Sequence, residues 1–246
     1  MKKDNIMRIP ADHWLKNRPI AHRGLWGGDI IENSLPAYEK AAREGFPIEI
    51  DVFLTKDNVF VSFHDDYLTR MTGKEGRIAD YTLEEIKSFP LLGTDNRIPT
   101  LKEVLDVCRG KIPILIEIKN QTQKDVVERL LEELKDYDGE FAIQSFNPLY
   151  INKVKKLRPD IIRGVLGTNK KAVLDDLSML NGFVVKNLAL DFLVKPDFIS
   201  YEFIGYPEIL KKTKGKIALA WTITSPDIYE KIKSYADNVI FEHFLP

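Results

Sequence analysis

The chain has 246 residues, 44% of them hydrophobic, with 36 lysines and arginines against 37 aspartates and glutamates and a formal net charge of −1. Such a balance gives no basic footprint for nucleic acid, and the single cysteine, Cys108, excludes an internal disulfide or a cysteine-built zinc site. No apolar run approaches the roughly 20 residues of a membrane span. The first 19 residues hold no stretch suited to a signal peptide, so the expectation is a soluble cytoplasmic protein with no stable membrane insertion.

Strand-like and helix-like segments alternate along the chain. PIAHR at 19–23 opens as a short strand. Ser34 followed by Pro36 starts a helix over SLPAYEKAARE that Gly45 ends. PIEIDV at 47–52 is the second strand, and a Lys56-Asp57-Asn58 turn, too short for a helical crossover, returns the chain as NVFVSFHDD. A polar stretch follows, in which Thr82 with Glu85, and then Thr100 with Glu103, form capping boxes. After PILIEIK at 113–119, the segment QKDVVERLLEELKDY places Val126, Val127, Leu130, Leu131 and Leu134 on one stripe. The remaining strands are FAIQS, IIRGV, DFISY, IALAWTI and NVIFE, with Asn147-Pro148 and Ser225-Pro226 as helix starts among them. The lysine runs at 153–156 and 211–216 read as solvated helix faces, and Cys108, in LKEVLDVC, as an inert packed thiol.

Eight strands alternating with helices over this length predict an α/β fold, a (β/α)8 TIM barrel with a small insertion after the second strand. The boundaries are a single domain over 1–246 with the inserted segment at about 55–98. An open doubly wound sheet is the runner-up, but it needs a glycine-rich phosphate loop after the first strand, and HRGLWGG does not match one.

Two of these strands carry acids where an apolar core is expected. Alternation puts Glu49 and Asp51 on one face of the second strand, with Ile48, Ile50 and Val52 on the other; Glu117 and Lys119 lie opposite Ile114, Ile116 and Ile118. Buried carboxylates without compensation cost several kcal/mol, so a divalent cation is the expected partner, and an oxygen-only ligand set suits magnesium or calcium, with manganese a further candidate. His22 and Arg23 end the first strand, and His64 and Asp65 end the hairpin run. Barrel enzymes keep their sites at such strand ends. Two histidines can exchange protons near neutral pH, while Arg23 and Lys119 can bind an anion. The set points to phosphate ester cleavage. An ion-pair network with no catalytic role is the bland alternative for the acids taken one at a time.

The motifs resemble those of the glycerophosphodiester phosphodiesterase family: HRG in AHRGLWGG, ENS at Glu32 to Ser34, the ordered run IEIDVFLTKDNVFVSFHDDYLTRMTG, EIK in ILIEIKN and WT in ALAWTITSPD. The resemblance runs from about Pro19 to the C-terminus. It implies a metal-dependent barrel enzyme releasing glycerol 3-phosphate and an alcohol from glycerophosphodiesters such as glycerophosphocholine or glycerophosphoethanolamine. On this sequence it implies one divalent cation held by Glu49, Asp51 and Glu117, with His22 and His64 as the acid–base pair. Arg23, Lys119 and Asn33 would hold or support the substrate. Trp221 fits either a pocket wall or core packing, and Phe63 fits the core better. The chain departs from the family pattern at its last strand, where NVIFEHFLP places Glu242 and His243, and this bears on substrate preference. The rival readings are a lysophospholipase D-like enzyme, which needs an apolar groove from Leu25, Trp26 or the inserted segment, and a barrel that binds glycerophosphodiesters without turnover.

Overall fold

A computed structural model describes residues 9–169, 179–213 and 215–246. All eight predicted strands form, together with the hairpin strand: β1 (Ile20–His22), β2 (Ile48–Leu54), β3 (Phe60–Ser62), β4 (Ile114–Ile118), β5 (Phe141–Ser145), β6 (Arg163–Gly167), β7 (Phe198–Glu202), β8 (Ile217–Ile223) and β9 (Asn238–Phe241). Eight parallel strands alternating with helices, plus one antiparallel strand, make this a (β/α)8 TIM barrel with an extra strand. No helix among the described residues is long and apolar enough to cross a membrane.

Contacts along the chain divide it into two compact units, one of residues 21–141 and the other of the N-terminal residues through Ile20 with 142–246. In the first unit, β1 pairs with β2 so that His22 stands beside Glu49. β2 pairs with β4 in parallel, setting Asp51 beside Glu117 and Ile50 beside Ile116. β3 runs back antiparallel on β2, with Val52 opposite Ser62 and Leu54 opposite Phe60, and Asn58 takes a left-handed φ of 62° in the turn between them. The crossover from β1 to β2 is the helix Leu35–Glu44. Ser34 caps it by accepting from the Ala37 N–H, and Gly45 closes it at φ 78°. Both predicted capping boxes are present, Thr82 with Glu85 and Thr100 with Glu103. All seven β2 residues and all five β4 residues are buried, as expected of parallel strands covered on both faces.

The segment after β3 packs against β2, β3 and Ile31 in an apolar cluster built from Ile31, Phe53, Val61, Phe63, Leu68, Met71 and Ile78 with four further buried residues. Phe63 is therefore core. Cys108 is fully buried on the helix Leu101–Cys108, and burial pushes its thiol up to about 12, so the expected inert packing holds.

In the second unit, β5 through β9 pair in parallel in sequence order. The N-terminal helix Trp14–Asn17 is anchored there by the Asn238 side chain, whose amide donates to the carbonyls of Leu15 and Arg18. Asn147 and Ser225 cap the helices that follow β5 and β8, each with proline in the first turn.

Candidate active site

Each motif of the first unit has a separable structural task. In His22-Arg23-Gly24, the backbone leaves β1 through two left-handed residues, Arg23 at φ 58° and Gly24 at φ 82°. A Cβ on Gly24 would lie 2.9 Å from both Ala37 and Tyr38, so glycine is required on two counts. A left-handed arginine is strained, and such strain gathers where surrounding contacts impose a functional geometry. Here the Arg23 N–H donates to Glu49 Oε2 at 3.2 Å. Its guanidinium reaches Glu32 Oε1 at 2.9 Å and lies 3.7 Å from Asp51 Oδ2.

Glu32, Asn33 and Ser34 divide the next tasks. Glu32, 7% exposed, accepts from Arg23 and from Arg70. Asn33, also left-handed at φ 49°, donates its amide to Asp51 Oδ2 at 3.0 Å. The Asn33 carbonyl oxygen is held by the Tyr38 hydroxyl at 2.8 Å and Ser62 Oγ at 3.3 Å. At 3% exposure, Asn33 acts on Asp51 from behind. Ser34 caps the helix and donates to the Ile31 carbonyl.

Around Asp51 the predicted acids converge. Glu49, Asp51 and Glu117 each offer an oxygen, all within 4.8 Å of one another, and all three side chains are buried. Lys119 Nζ lies 2.9 Å from Glu117 Oε1 and 3.3 Å from Asp51 Oδ1. Asp51 Oδ1, though buried, takes no hydrogen bond. Burial works against ionising Asp51, but the charges of Lys119, His64, Arg23 and His22 hold its carboxyl well below the usual range. Burial, then the Asp51 and Glu117 charges, push Glu49 well above it, and burial likewise raises Glu117. Three carboxylates against the Arg23 and Lys119 cations leave one surplus negative charge when all are ionised. A divalent cation would turn that surplus into one net positive charge, and it suits the oxygen-only donor set and the buried oxygen of Asp51 that lacks a hydrogen bond.

His22 and His64 both act electrostatically on Asp51. The His22 carbonyl accepts from the Trp26 indole at 2.9 Å. His64, a third exposed, has Nδ1 2.6 Å from Asp65 Oδ1. Burial, with the nearby Lys119 charge, brings its pKa down to about 4, so it is neutral at physiological pH. Neutral imidazole beside a carboxylate donates from Nδ1, which leaves Nε2 as a proton acceptor.

Eight predicted site residues thus lie in the 21–141 unit: His22, Arg23, Asn33, Glu49, Asp51, His64, Glu117 and Lys119. Trp221 belongs to the other unit. There it is partly exposed, stands beside Glu202 in the β7–β8 register, and meets Phe146 edge to face at 5.7 Å. Glu242 and His243 follow β9 as a 3.6 Å pair with His243 exposed. Sequence reasoning gave no part to Tyr38, Ser62 or Arg70. Tyr38 sits on a helix face that periodicity assigns to the core. Ser62 faces Val52 across the hairpin, a register set by the length of the turn between β2 and β3.

The strand-end position and the cluster of acids, cations and histidines define a barrel phosphodiesterase whose carboxylates could hold a metal ion. Comparison with known proteins gives the same class. A phosphodiesterase from Oleispira antarctica, solved in complex with the product sn-glycerol-3-phosphate, superposes with a TM-score of 0.75 at 26% identity, over 91% of this chain and 92% of that one. A glycerophosphodiester phosphodiesterase from Thermotoga maritima gives a TM-score of 0.70 at 27% identity, over 91% and 94%. By sequence, a glycerophosphodiester phosphodiesterase of Caldanaerobacter subterraneus is 37% identical over 164 residues, 62% of this chain and 67% of its own length. Human glycerophosphodiester phosphodiesterase 1 is 27% identical over 249 residues, 85% of this chain and 72% of its own. The sequence model of the glycerophosphoryl diester phosphodiesterase family matches residues 22–244, and the chain belongs to that family.

Proposed function

We propose that the protein hydrolyses small glycerophosphodiesters, such as glycerophosphocholine or glycerophosphoethanolamine, to glycerol 3-phosphate and the free alcohol. The observation that carries this reading is the convergence on Asp51 of two further carboxylates, two cations and two imidazoles. Glu49, Asp51 and Glu117 would hold one divalent cation, magnesium, calcium or manganese, whose bound form supplies Lewis-acid polarisation of a phosphoryl oxygen. Arg23 and Lys119 face the phosphodiester; the arginine offers a planar fork and the lysine a point charge, and both offset negative charge that builds in the transition state. Asn33 fixes the Asp51 carboxylate from behind. His64, with Nδ1–H on Asp65, takes a proton from the nucleophile at Nε2, and His22 protonates the leaving alkoxide. The nucleophile is water or the neighbouring glycerol hydroxyl; the latter gains from proximity and passes through a cyclic phosphate. The segment at about 55–98 is an insertion that brings His64 to the site. Trp221 is offered as a substrate contact on the strength of its strand-end position alone. The working location is the cytoplasm.

A lysophospholipid substrate finds less support. Leu25 is buried, the Trp26 indole is tied to the His22 carbonyl, and most of the large apolar side chains of the inserted segment pack into their own cluster. The test offers glycerophosphocholine with magnesium, calcium or manganese in turn and measures glycerol 3-phosphate, with a lysophospholipid as a parallel substrate. Release with at least one metal, lost on chelation, is expected. Binding of glycerophosphocholine without turnover under every metal would leave a non-catalytic barrel. Preferential lysophospholipid cleavage would move the substrate class, and full activity in excess chelator would remove the metal from the reaction.

A further inference from the structure

We propose that Arg70 is a positioning residue for this reaction, one guanidinium that orients the His64 imidazole through Asp65 and the Arg23 side chain through Glu32. This inference rests on the proposed function in taking His64 as a proton-transfer group and Arg23 as a phosphate contact. Arg70 comes from the one-turn helix Thr69–Thr72, in the segment after β3. Its Nε donates to Asp65 Oδ2 at 2.5 Å and its Nη2 to Glu32 Oε1 at 2.7 Å. The other Asp65 oxygen receives His64 Nδ1 at 2.6 Å. Glu32 Oε1 also receives Arg23 Nη1 at 2.9 Å, and Arg23 Nε lies 3.7 Å from Asp51. The charges alternate along the whole path: Glu117, Lys119, Asp51, Arg23, Glu32, Arg70 and Asp65, ending on His64. Each link but the last joins side chains of opposite charge at 2.5–3.7 Å, the last is the Asp65–imidazole contact at 2.6 Å, and the path joins the acid cluster to the imidazole.

Three features separate a positioning role from an ordinary surface ion pair. Exposed pairs contribute little, because long side chains must be ordered in water. Arg70 is itself 47% exposed, but Glu32 and Asp65 are only 9% and 24% exposed at their side chains. The two carboxylates it holds belong to different segments, 33 residues apart in sequence, so local chain geometry does not bring them together. And the bonds come from different nitrogens of one planar fork, which a lysine ammonium does not reproduce with fixed angles. Although burial opposes it, the hydrogen bonds from His64 and Arg70 hold the Asp65 carboxyl well below its usual range, so Asp65 stays an acceptor for the Nδ1–H. Without Arg70, Asp65 keeps His64 as a partner but loses the contact that fixes the plane of its carboxylate.

The fold around Arg70 does not depend on it. Leu68 and Met71 anchor the turn in the apolar cluster, and Gly73 closes it in the left-handed conformation. The experiment therefore compares the full-length protein with Arg70→Gln, Arg70→Lys, Asp65→Asn and the Asp65→Asn/Arg70→Gln double variant. A positioned acid or base contributes about 10²–10⁴-fold, and loss of the residue that orients it should forfeit part of that, about 10–100-fold. Arg70→Gln should lower kcat by that factor with the melting transition little changed, and Arg70→Lys should recover only part of it. The double variant should lose less than the product of the two single losses, since Arg70 acts on His64 only through Asp65 and keeps only its route to Arg23 through Glu32 to lose. Long-range nitrogen–proton NMR of the His64 ring should show the Nδ1–H tautomer in the parent and a mixture in Arg70→Gln. A kcat within about twofold of the parent in Arg70→Gln would overturn the proposal. So would an unchanged His64 tautomer, or strictly multiplicative losses in the double variant. The ring spectrum reads out with no substrate present, so a parent that fails to cleave glycerophosphodiesters refutes the proposed function and leaves the Arg70 geometry to be judged separately.

Discussion

Two buried regions of the 21–141 unit lie side by side along β2 and are built on opposite principles. The apolar cluster under the segment after β3 gathers Phe53, Val61, Phe63, Leu68, Met71, Ile78 and their neighbours, all nearly without solvent contact. The charged region beside it on β2 gathers the buried Glu49, Asp51 and Glu117 with Lys119 and Arg23, whose side chains are 15% and 14% exposed. Burial of apolar area stabilises a fold at about 25 cal/mol per Å², whereas burial of charge costs desolvation that pairing offsets only in part. The first region supplies stability and the second consumes it. His64, Asp65 and Arg70 lie on the segment that the apolar cluster anchors, so the stabilising region is what holds the chemistry in place.

The sharpest way to break the comparison is to damage each region separately. His22→Ala and His64→Ala should each lower kcat by about 10²–10⁴-fold, the range for loss of a positioned acid or base. Each should leave thermal unfolding close to the parent, since neither side chain belongs to the apolar cluster. Steady-state kinetics beside a melting curve decides it, and a loss of activity matched by a loss of fold would put the histidines in the structural class.

The converse variant is Ile78→Ala. Ile78 is fully buried in the cluster, and truncation of such a side chain costs about 2–5 kcal/mol through lost burial and the cavity left behind. Denaturant unfolding should show that loss while kcat per folded molecule changes little. A wild-type unfolding midpoint would mean the segment after β3 closes over the gap, and that its packing is less specific than its burial suggests.

The division between regions also sets what could be read from the amino-acid sequence. Strands β1 through β9 were legible because alternation and turn chemistry are local, and so were the caps at Ser34, Thr82, Thr100, Asn147 and Ser225. The Glu49/Asp51 pair and Glu117 were legible because acids break an otherwise apolar strand pattern. What joins them was not. Register decides that Asp51 stands beside Glu117 rather than a residue to either side, and a strand carries its own periodicity but not its partner's offset. Arg70 lies on a four-residue helix with no periodic signal, and its partner Glu32 is 38 residues away. Asn33 was read as a site residue, yet its role through Tyr38, Ser62 and Asp51 depends on contacts between a helix, a hairpin and a loop.

A smaller effect sharpens the claim that the charged region consumes stability. Glu49 is the acid most penalised by its surroundings: burial comes first, then the charges of Asp51 and Glu117. Glu49→Gln keeps the shape and keeps a carbonyl oxygen for the Arg23 N–H, which now donates to Glu49 Oε2. Because the folded-state pKa of this acid lies above its ordinary value of 4.5, the folded protein binds that proton more tightly than the unfolded chain does. The cost is absent below about pH 4, where both states carry the proton, and grows as pH rises through and beyond the ordinary value. At neutral pH and without metal the variant should therefore be the more stable protein, by on the order of 1 kcal/mol, and its advantage should vanish in acid. Adding magnesium or calcium should raise the melting temperature of the parent, since a ligand of the folded state stabilises it by mass action, and should do much less for Glu49→Gln. Melting curves at two pH values, with and without metal, test both halves. A variant less stable than the metal-free parent at neutral pH would show that Arg23 and Lys119 already compensate the three carboxylates, and that no cation is needed to balance them.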